Sequence, residues 1–198
     1  MAKTGSSRFN SYRSAPNLLT LLRICLMPFL VAAVLEGRYQ ISFILFLVAG
    51  LTDALDGALA RLLQQRTVLG HYLDPVADKL LLSTLFIVLT HKALIPTTVT
   101  ALVFGRDLGI LVVAALLYAA VGWREFSPSV FGKANTLAQV TAIAVVLLHQ
   151  LTGATWVVVL RAFALYATMA LTVISGLHYA WMTARRLGGA GGNGSAAK

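Results

Sequence analysis

The chain has 198 residues, of which 58% are hydrophobic and 12% are charged, and its net charge at neutral pH is +9. A soluble domain carries about 25% charged residues, so this composition argues against a soluble domain and favours a membrane protein. The basic residues are dispersed along the chain, which argues against a nucleic-acid-binding surface. The single cysteine, Cys25, excludes an intrachain disulfide.

The first 15 residues are polar and basic and lack the apolar core of a secretory signal peptide. A membrane-spanning helix needs about 20 mostly apolar residues. The stretches that meet this need are 18–35, 41–63, 72–90, 95–121, 134–151 and 155–182. Residues 188–198 are rich in Gly, Ser and Ala, which predicts a flexible tail. The sequence therefore predicts an all-α integral membrane protein, with one domain of six transmembrane helices over residues 16–187.

The distribution of basic residues predicts the orientation of these spans. With six spans, both termini lie on the same side as the loops at 61–70 and 122–133. That side carries Lys3, Arg8, Arg13, Arg61, Arg66, Arg124, Lys133, Arg185, Arg186 and Lys198, and the other side carries Arg38 and Lys92. Because cytoplasmic loops are enriched in Lys and Arg, both termini are predicted to be cytoplasmic. We expect a bacterial plasma-membrane protein that contacts anionic lipid headgroups.

Acidic residues are concentrated in the second and third predicted spans. Four of the seven Asp and Glu residues of the chain lie there, namely Asp53, Asp56, Asp74 and Asp78. Carboxylates within a membrane span are costly and mark functional sites. Residues three and four apart share a helix face, so each pair forms one stripe, and the short turn between the spans allows the stripes to face each other. Like charges this close need a compensating cation, and an all-oxygen donor set favours Mg²⁺ or Mn²⁺.

Small residues follow the first two aspartates on the same stripe. Gly57 and Ala60 leave space beside the carboxylates for a base or a diphosphate, and Arg61 ends the stripe where its guanidinium is able to bind phosphate. Close helix packing also explains the small residues, and contact with lipid phosphates also explains Arg61. The residues alone leave these alternatives open.

The acidic segment resembles the signature of the CDP-alcohol phosphatidyltransferases. The matching pattern is Asp53-x2-Asp56-Gly57-x2-Ala60-Arg61-x8-Gly70-x3-Asp74-x3-Asp78. The similarity continues over nearly the whole chain, from Pro16-Asn17 and Arg23 to Gly132-Lys133-x-Asn135-Thr136-x2-Gln139. It implies a six-helix fold, often homodimeric, with a cytoplasm-facing active site. It also implies transfer of a phosphatidyl group from CDP-diacylglycerol to an alcohol, with release of CMP.

The resemblance also implies roles for individual residues. One or two ions of Mg²⁺ or Mn²⁺ would be held by Asp53, Asp56, Asp74 and Asp78, and Asp78 would also be the catalytic general base. The residues expected to bind CDP-diacylglycerol are Asp56, Gly57, Ala60, Arg61 and Gly70. Those expected near the acceptor or lipid phosphate are Lys133, Arg106 and Arg23. The neighbours Arg106 and Asp107 are predicted to project about 100° apart and not to pair on one helix face.

Two acceptors remain possible for this reaction. The fourth span and the segment around Lys133 are similar to the mitochondrial-type cardiolipin synthases, which implies phosphatidylglycerol as the acceptor. Glycerol 3-phosphate is the alternative, but relatives that use it usually have a further arginine after the position of Asp107, where this chain has apolar residues.

A cation transporter is the alternative from a different class, because intramembrane acids also mark ion pathways. The acids here lie near one end of their spans, and no inverted repeat is visible. Both features favour the transferase.

Overall fold

A computed structural model describes residues 15–62, 68–121 and 130–192, with side chains at 21–52, 78–113 and 130–185. These residues form α-helices and no strand, so the predicted all-α class is confirmed for this part of the chain. The helices are α1 Ala15–Leu35, α2 Tyr39–Leu62, α3 Val68–His91, α4 Thr97–Val121, α5 Val130–His149 and α6 Thr155–Gly192. The predicted polar segment, apart from Ala15, lies outside the described residues.

Two helices end in caps that need a left-handed residue. After α1, Gly37 has φ 74°, and the N–H of Arg38 donates to the carbonyl of Ala33 at 2.8 Å. After α3, Ala93 has φ 57°, and the N–H of Leu94 donates to the carbonyl of Leu89 at 2.9 Å. This pairing satisfies carbonyls that the end of a helix leaves open.

The first compact unit contains α1, α2 and α3, together with Val146–Gly153. Helix α1 packs against both α2 and α3. The core between them includes Leu30 and Val34 of α1, Phe46 of α2 and Phe86 of α3, all of which are buried. The Lys92 Nζ donates to the carbonyl of Leu35 at 3.1 Å and so ties the end of α3 to the end of α1. Helix α1 is thus the support shared by the two helices that carry the aspartates.

The second compact unit contains α4, α5 as far as Val145, and α6. Helix α4 packs against α6, with Val99 and Val103 buried. The Thr168 hydroxyl of α6 donates to the carbonyl of Ala138 on α5 at 3.1 Å, so α6 contacts both of the other helices.

The surface of the described helices is rich in apolar side chains. Phe29 is 67% exposed, Leu111 67% and Phe163 70%, a degree of exposure that water disfavours and lipid does not. Among the described residues, the stretches long and apolar enough to cross a membrane are Val130–His149 and Thr155–Arg185. The six predicted spans and the predicted orientation of the termini stay predictions.

The helix bounds differ from the predicted spans by four residues or fewer, except at the end of α6. Helix α3 begins at Val68, whereas the predicted span begins at residue 72, so Gly70 lies in the first turn of the helix. Helix α6 continues to Gly192 and therefore includes residues 188–192 of the predicted flexible tail. The rest of that tail lies outside the described residues.

Candidate active site

The acidic motif lies on α2 and α3 of the first unit. Asp53 and Asp56 are three residues apart within α2, and Asp74 and Asp78 are four apart within α3. Because both helices are continuous there, each pair of backbone positions lies on one side of its helix. The regular helices therefore preserve the spacing on which the metal prediction depends.

Most side chains of this motif are not among those that the structure describes. They are Asp53, Asp56, Gly57, Ala60, Arg61, Gly70 and Asp74. Asp78 is described and is half-buried. The described side chains contain no group of three or more His, Cys, Asp or Glu that could hold a metal ion. The four-aspartate metal centre is therefore still a prediction.

The residues of the motif nevertheless fit a divalent cation. Two carboxylate pairs at helical spacing supply an all-oxygen donor set without histidine or cysteine, which is the chemistry that Mg²⁺ and Mn²⁺ prefer. Both helices are packed on the same support, α1.

Arg23 of α1 belongs to the same unit as the four aspartates. Its residue exposure is 1%, so this guanidinium is kept away from lipid, as its charge requires. Arg23 is therefore buried within the first unit, and its predicted role towards a phosphate stays a prediction.

Arg106 and Lys133 belong to the second unit. Lys133 lies near the start of α5 and is exposed. Arg106 lies on α4, and its Nη1 donates to Asp107 Oδ1 at 2.7 Å, with side-chain exposures of 11% and 14%. The prediction that these neighbours do not pair is therefore wrong. The Cα–Cβ bonds diverge, but the long arginine side chain turns back far enough to reach the carboxylate.

Ser175 of α6 is a polar contact of Arg106 that could not be predicted from the neighbouring sequence. Arg106 Nη2 donates to Ser175 Oγ at 2.6 Å. Ser175 belongs to a series of hydroxyl residues on α6, with Thr168 and Thr172, at the four- and three-residue intervals of one helix face. That spacing in a strongly apolar helix is the signal that could have identified the residue, though not its partner.

The fold so far defines an all-α protein whose helices expose much apolar surface and carry paired carboxylates. Residues 13–174 match the CDP-alcohol phosphatidyltransferase family. This span includes the whole acidic motif, so the chain belongs to that family. Members of the family generally depend on a divalent metal.

Several characterised proteins are similar to the chain. A cardiolipin synthase (CMP-forming) of Rattus norvegicus is 40% identical over 116 residues, covering 58% of this chain and 38% of the rat protein. The human cardiolipin synthase (CMP-forming) is 43% identical over 104 residues, covering 52% and 34%. The CDP-diacylglycerol–glycerol-3-phosphate 3-phosphatidyltransferase of Bacillus subtilis is 33% identical over 180 residues, covering 83% and 92%. The chain thus spans little more than a third of the mammalian relatives and nearly all of the bacterial one.

Proposed function

We propose that the chain transfers a phosphatidyl group from CDP-diacylglycerol to an alcohol acceptor and releases CMP, as a step of phospholipid biosynthesis. The observation that carries this proposal is the complete acidic motif, with its two aspartate pairs in helical register on α2 and α3. Membership of the CDP-alcohol phosphatidyltransferase family supports it. A cation transporter is not favoured by any described contact.

In this proposal the four aspartates bind the metal, and neighbouring residues bind CDP-diacylglycerol. Asp53, Asp56, Asp74 and Asp78 hold one or two ions of Mg²⁺ or Mn²⁺. When bound, such ions polarise the diphosphate and stabilise charge on the departing CMP. Gly57, Ala60 and Gly70 leave room for the cytidine end of CDP-diacylglycerol, and Arg61 binds its phosphates.

Asp78 acts as the general base in the transfer step. Its carboxylate takes the proton of the acceptor hydroxyl, whose oxygen forms a bond to the phosphorus that carries diacylglycerol. The bond from that phosphorus to the CMP oxygen breaks, and CMP leaves with the electron pair. The half-buried position of Asp78 limits the water that would compete with the acceptor for the proton.

Phosphatidylglycerol is the proposed acceptor, which makes the product cardiolipin. Its phosphate carries one negative charge, whereas glycerol 3-phosphate carries about two at neutral pH. Arg106 is already paired with Asp107, so this part of the second unit offers little net positive charge for a dianion. The Bacillus subtilis relative, named for glycerol 3-phosphate, favours that compound as the second candidate.

In this proposal the protein crosses a bacterial plasma membrane six times, with both termini and the active site on the cytoplasmic side. The exposed apolar side chains of the described helices support contact with lipid. The excess of basic residues on the predicted cytoplasmic side supports the orientation. A homodimer is proposed from the family resemblance alone.

An acceptor competition tests the function. The purified chain, with CDP-diacylglycerol and Mg²⁺ or Mn²⁺, is offered labelled phosphatidylglycerol and labelled glycerol 3-phosphate in parallel. We expect cardiolipin and CMP, and we expect a chelator to abolish both until metal is restored. Phosphatidylglycerophosphate as the product would refute the proposed acceptor and keep the reaction class. An absence of CMP with these acceptors, and also with serine and inositol phosphate, would refute the class.

A further inference from the structure

The guanidinium of Arg106 is held from two helices within the second unit. Asp107 of α4 accepts from Nη1 at 2.7 Å, and Ser175 of α6 accepts from Nη2 at 2.6 Å. The stem of the side chain lies beside Gly176, where a Cβ atom would stand 3.7 Å from Arg106 Cγ. With two terminal nitrogens engaged and the stem packed, the plane of the guanidinium is fixed.

This arrangement leaves donors of Arg106 unused. The Nε–H is buried and has no hydrogen-bond partner among the described residues. Each terminal nitrogen also carries a second N–H beyond the one that it donates to Asp107 or Ser175. Buried N–H groups in proteins are nearly always paired, so this Nε–H can take an acceptor atom that the described residues do not supply.

We propose that Ser175 is a positioning residue, which orients the Arg106 guanidinium towards the phosphate of the alcohol acceptor without touching the acceptor itself. This inference rests on the proposed function, in which Arg106 binds that phosphate. A serine suits the task because its hydroxyl accepts a hydrogen bond and adds no charge. A carboxylate at residue 175 would compete with the phosphate for the guanidinium.

The neighbouring hydroxyls of α6 have different partners. Thr172 Oγ1 donates to Asn135 Oδ1 at 2.9 Å. Thr168 Oγ1 is fully buried and donates to the carbonyl of Ala164 at 2.8 Å as well as to that of Ala138 at 3.1 Å. Ser175 is also buried, at 1% exposure, but it accepts from a cation. Thr168 is therefore a matched control, since its loss removes a buried hydroxyl from the same helix face without affecting Arg106.

Steady-state kinetics of CMP release separate positioning from general stability. Ser175→Ala should raise the KM for the acceptor about ten- to hundredfold, as expected for loss of a hydrogen bond to a charged group. The KM for CDP-diacylglycerol should stay unchanged. Thr168→Val should leave both KM values unchanged. Ser175→Cys, whose thiol is a weak acceptor, gives the same comparison if the alanine variant fails to fold.

A double-mutant cycle then tests whether Ser175 acts through Arg106. In the Arg106→Lys background, Ser175→Ala should not raise the acceptor KM further, because the group that it orients is gone. An unchanged acceptor KM in Ser175→Ala, equal rises for both substrates, or an undiminished effect in the Arg106→Lys background would each overturn the positioning role. All three results leave the proposed transferase standing, whereas a wild-type chain that releases no CMP with any acceptor overturns both.

Discussion

Asp78 follows Asp74 by one helical turn on α3, and its half-buried carboxylate is the proposed base. Asp78→Asn keeps the size of the side chain but cannot take up a proton. We expect CMP release to fall about 10²- to 10⁴-fold, the usual contribution of a general base, with CDP-diacylglycerol binding retained. Glu36→Gln is the control, because it removes an exposed carboxylate from the same unit. Near-normal turnover of Asp78→Asn would rule out the role.

Asp56 is proposed to contribute both to the metal centre and to CDP-diacylglycerol binding. Removing one carboxylate from an all-oxygen set weakens a hard cation's site. Asp56→Ala should therefore weaken Mn²⁺-dependent binding of CDP by at least about tenfold. Calorimetric titration of CDP with and without Mn²⁺ measures this. An identical titration for the variant and the wild type would exclude Asp56 from the metal shell.

The sequence could predict the acidic motif because its information is local. Asp53 and Asp56, or Asp74 and Asp78, need only a regular helix to lie on one side. The contact between Arg106 and Ser175 could not be predicted in this way, because it joins residues 69 positions apart on two helices. The pairing of Arg106 with Asp107 was missed for another reason, since Cβ directions say little about a long, flexible side chain.

The helices were predicted from long apolar stretches of the sequence. Such a stretch ends at the first charged residues, even where the helix continues. Helix α6 passes through Arg185 and Arg186 and continues to Gly192. Arginine is a good helix former, so hydropathy marks the apolar part of a helix and not its last turn. The helical interiors were therefore predicted better than the ends.

The left-handed conformation of Ala93, at the end of α3, can be tested by substitution. A left-handed conformation costs a residue with a Cβ about 1–2 kcal/mol, and glycine avoids this cost. Ala93→Gly should therefore raise the free energy of unfolding by up to about 1 kcal/mol, after the larger entropy loss of glycine. Gly37→Ala, at the matching cap of α1, should lower it. Unfolding midpoints in detergent measure both, and a lower midpoint for Ala93→Gly would contradict the cap.

The whole chain offers a direct test of orientation because it has one cysteine, Cys25. In a Cys25→Ser background, His91→Cys places a thiol at the end of α3, and Ser195→Cys places one near the C-terminus. With a membrane-impermeant maleimide, we expect His91→Cys to react in intact cells and Ser195→Cys only after permeabilisation. The reverse pattern would overturn the proposed orientation.

The all-α class of the described residues could be predicted because a membrane allows few kinds of backbone structure. A backbone in hydrocarbon must satisfy its own hydrogen bonds, so long apolar stretches of this kind form helices. Composition does not determine which helices pack together. The pairing of α1 with α2 and α3, and of α4 with α6, depends on side-chain shape and could not be predicted from apolar periodicity.

The ion pair of Arg106 with Asp107 has a consequence for how an anion reaches the second unit. A few ångströms away the two charges largely cancel, so the guanidinium exerts little long-range attraction. Dissolved salt therefore has little effect on the attraction between this ion pair and an anion. Under the proposed function, capture of an acceptor phosphate at Arg106 would therefore depend on contact geometry more than on attraction from a distance.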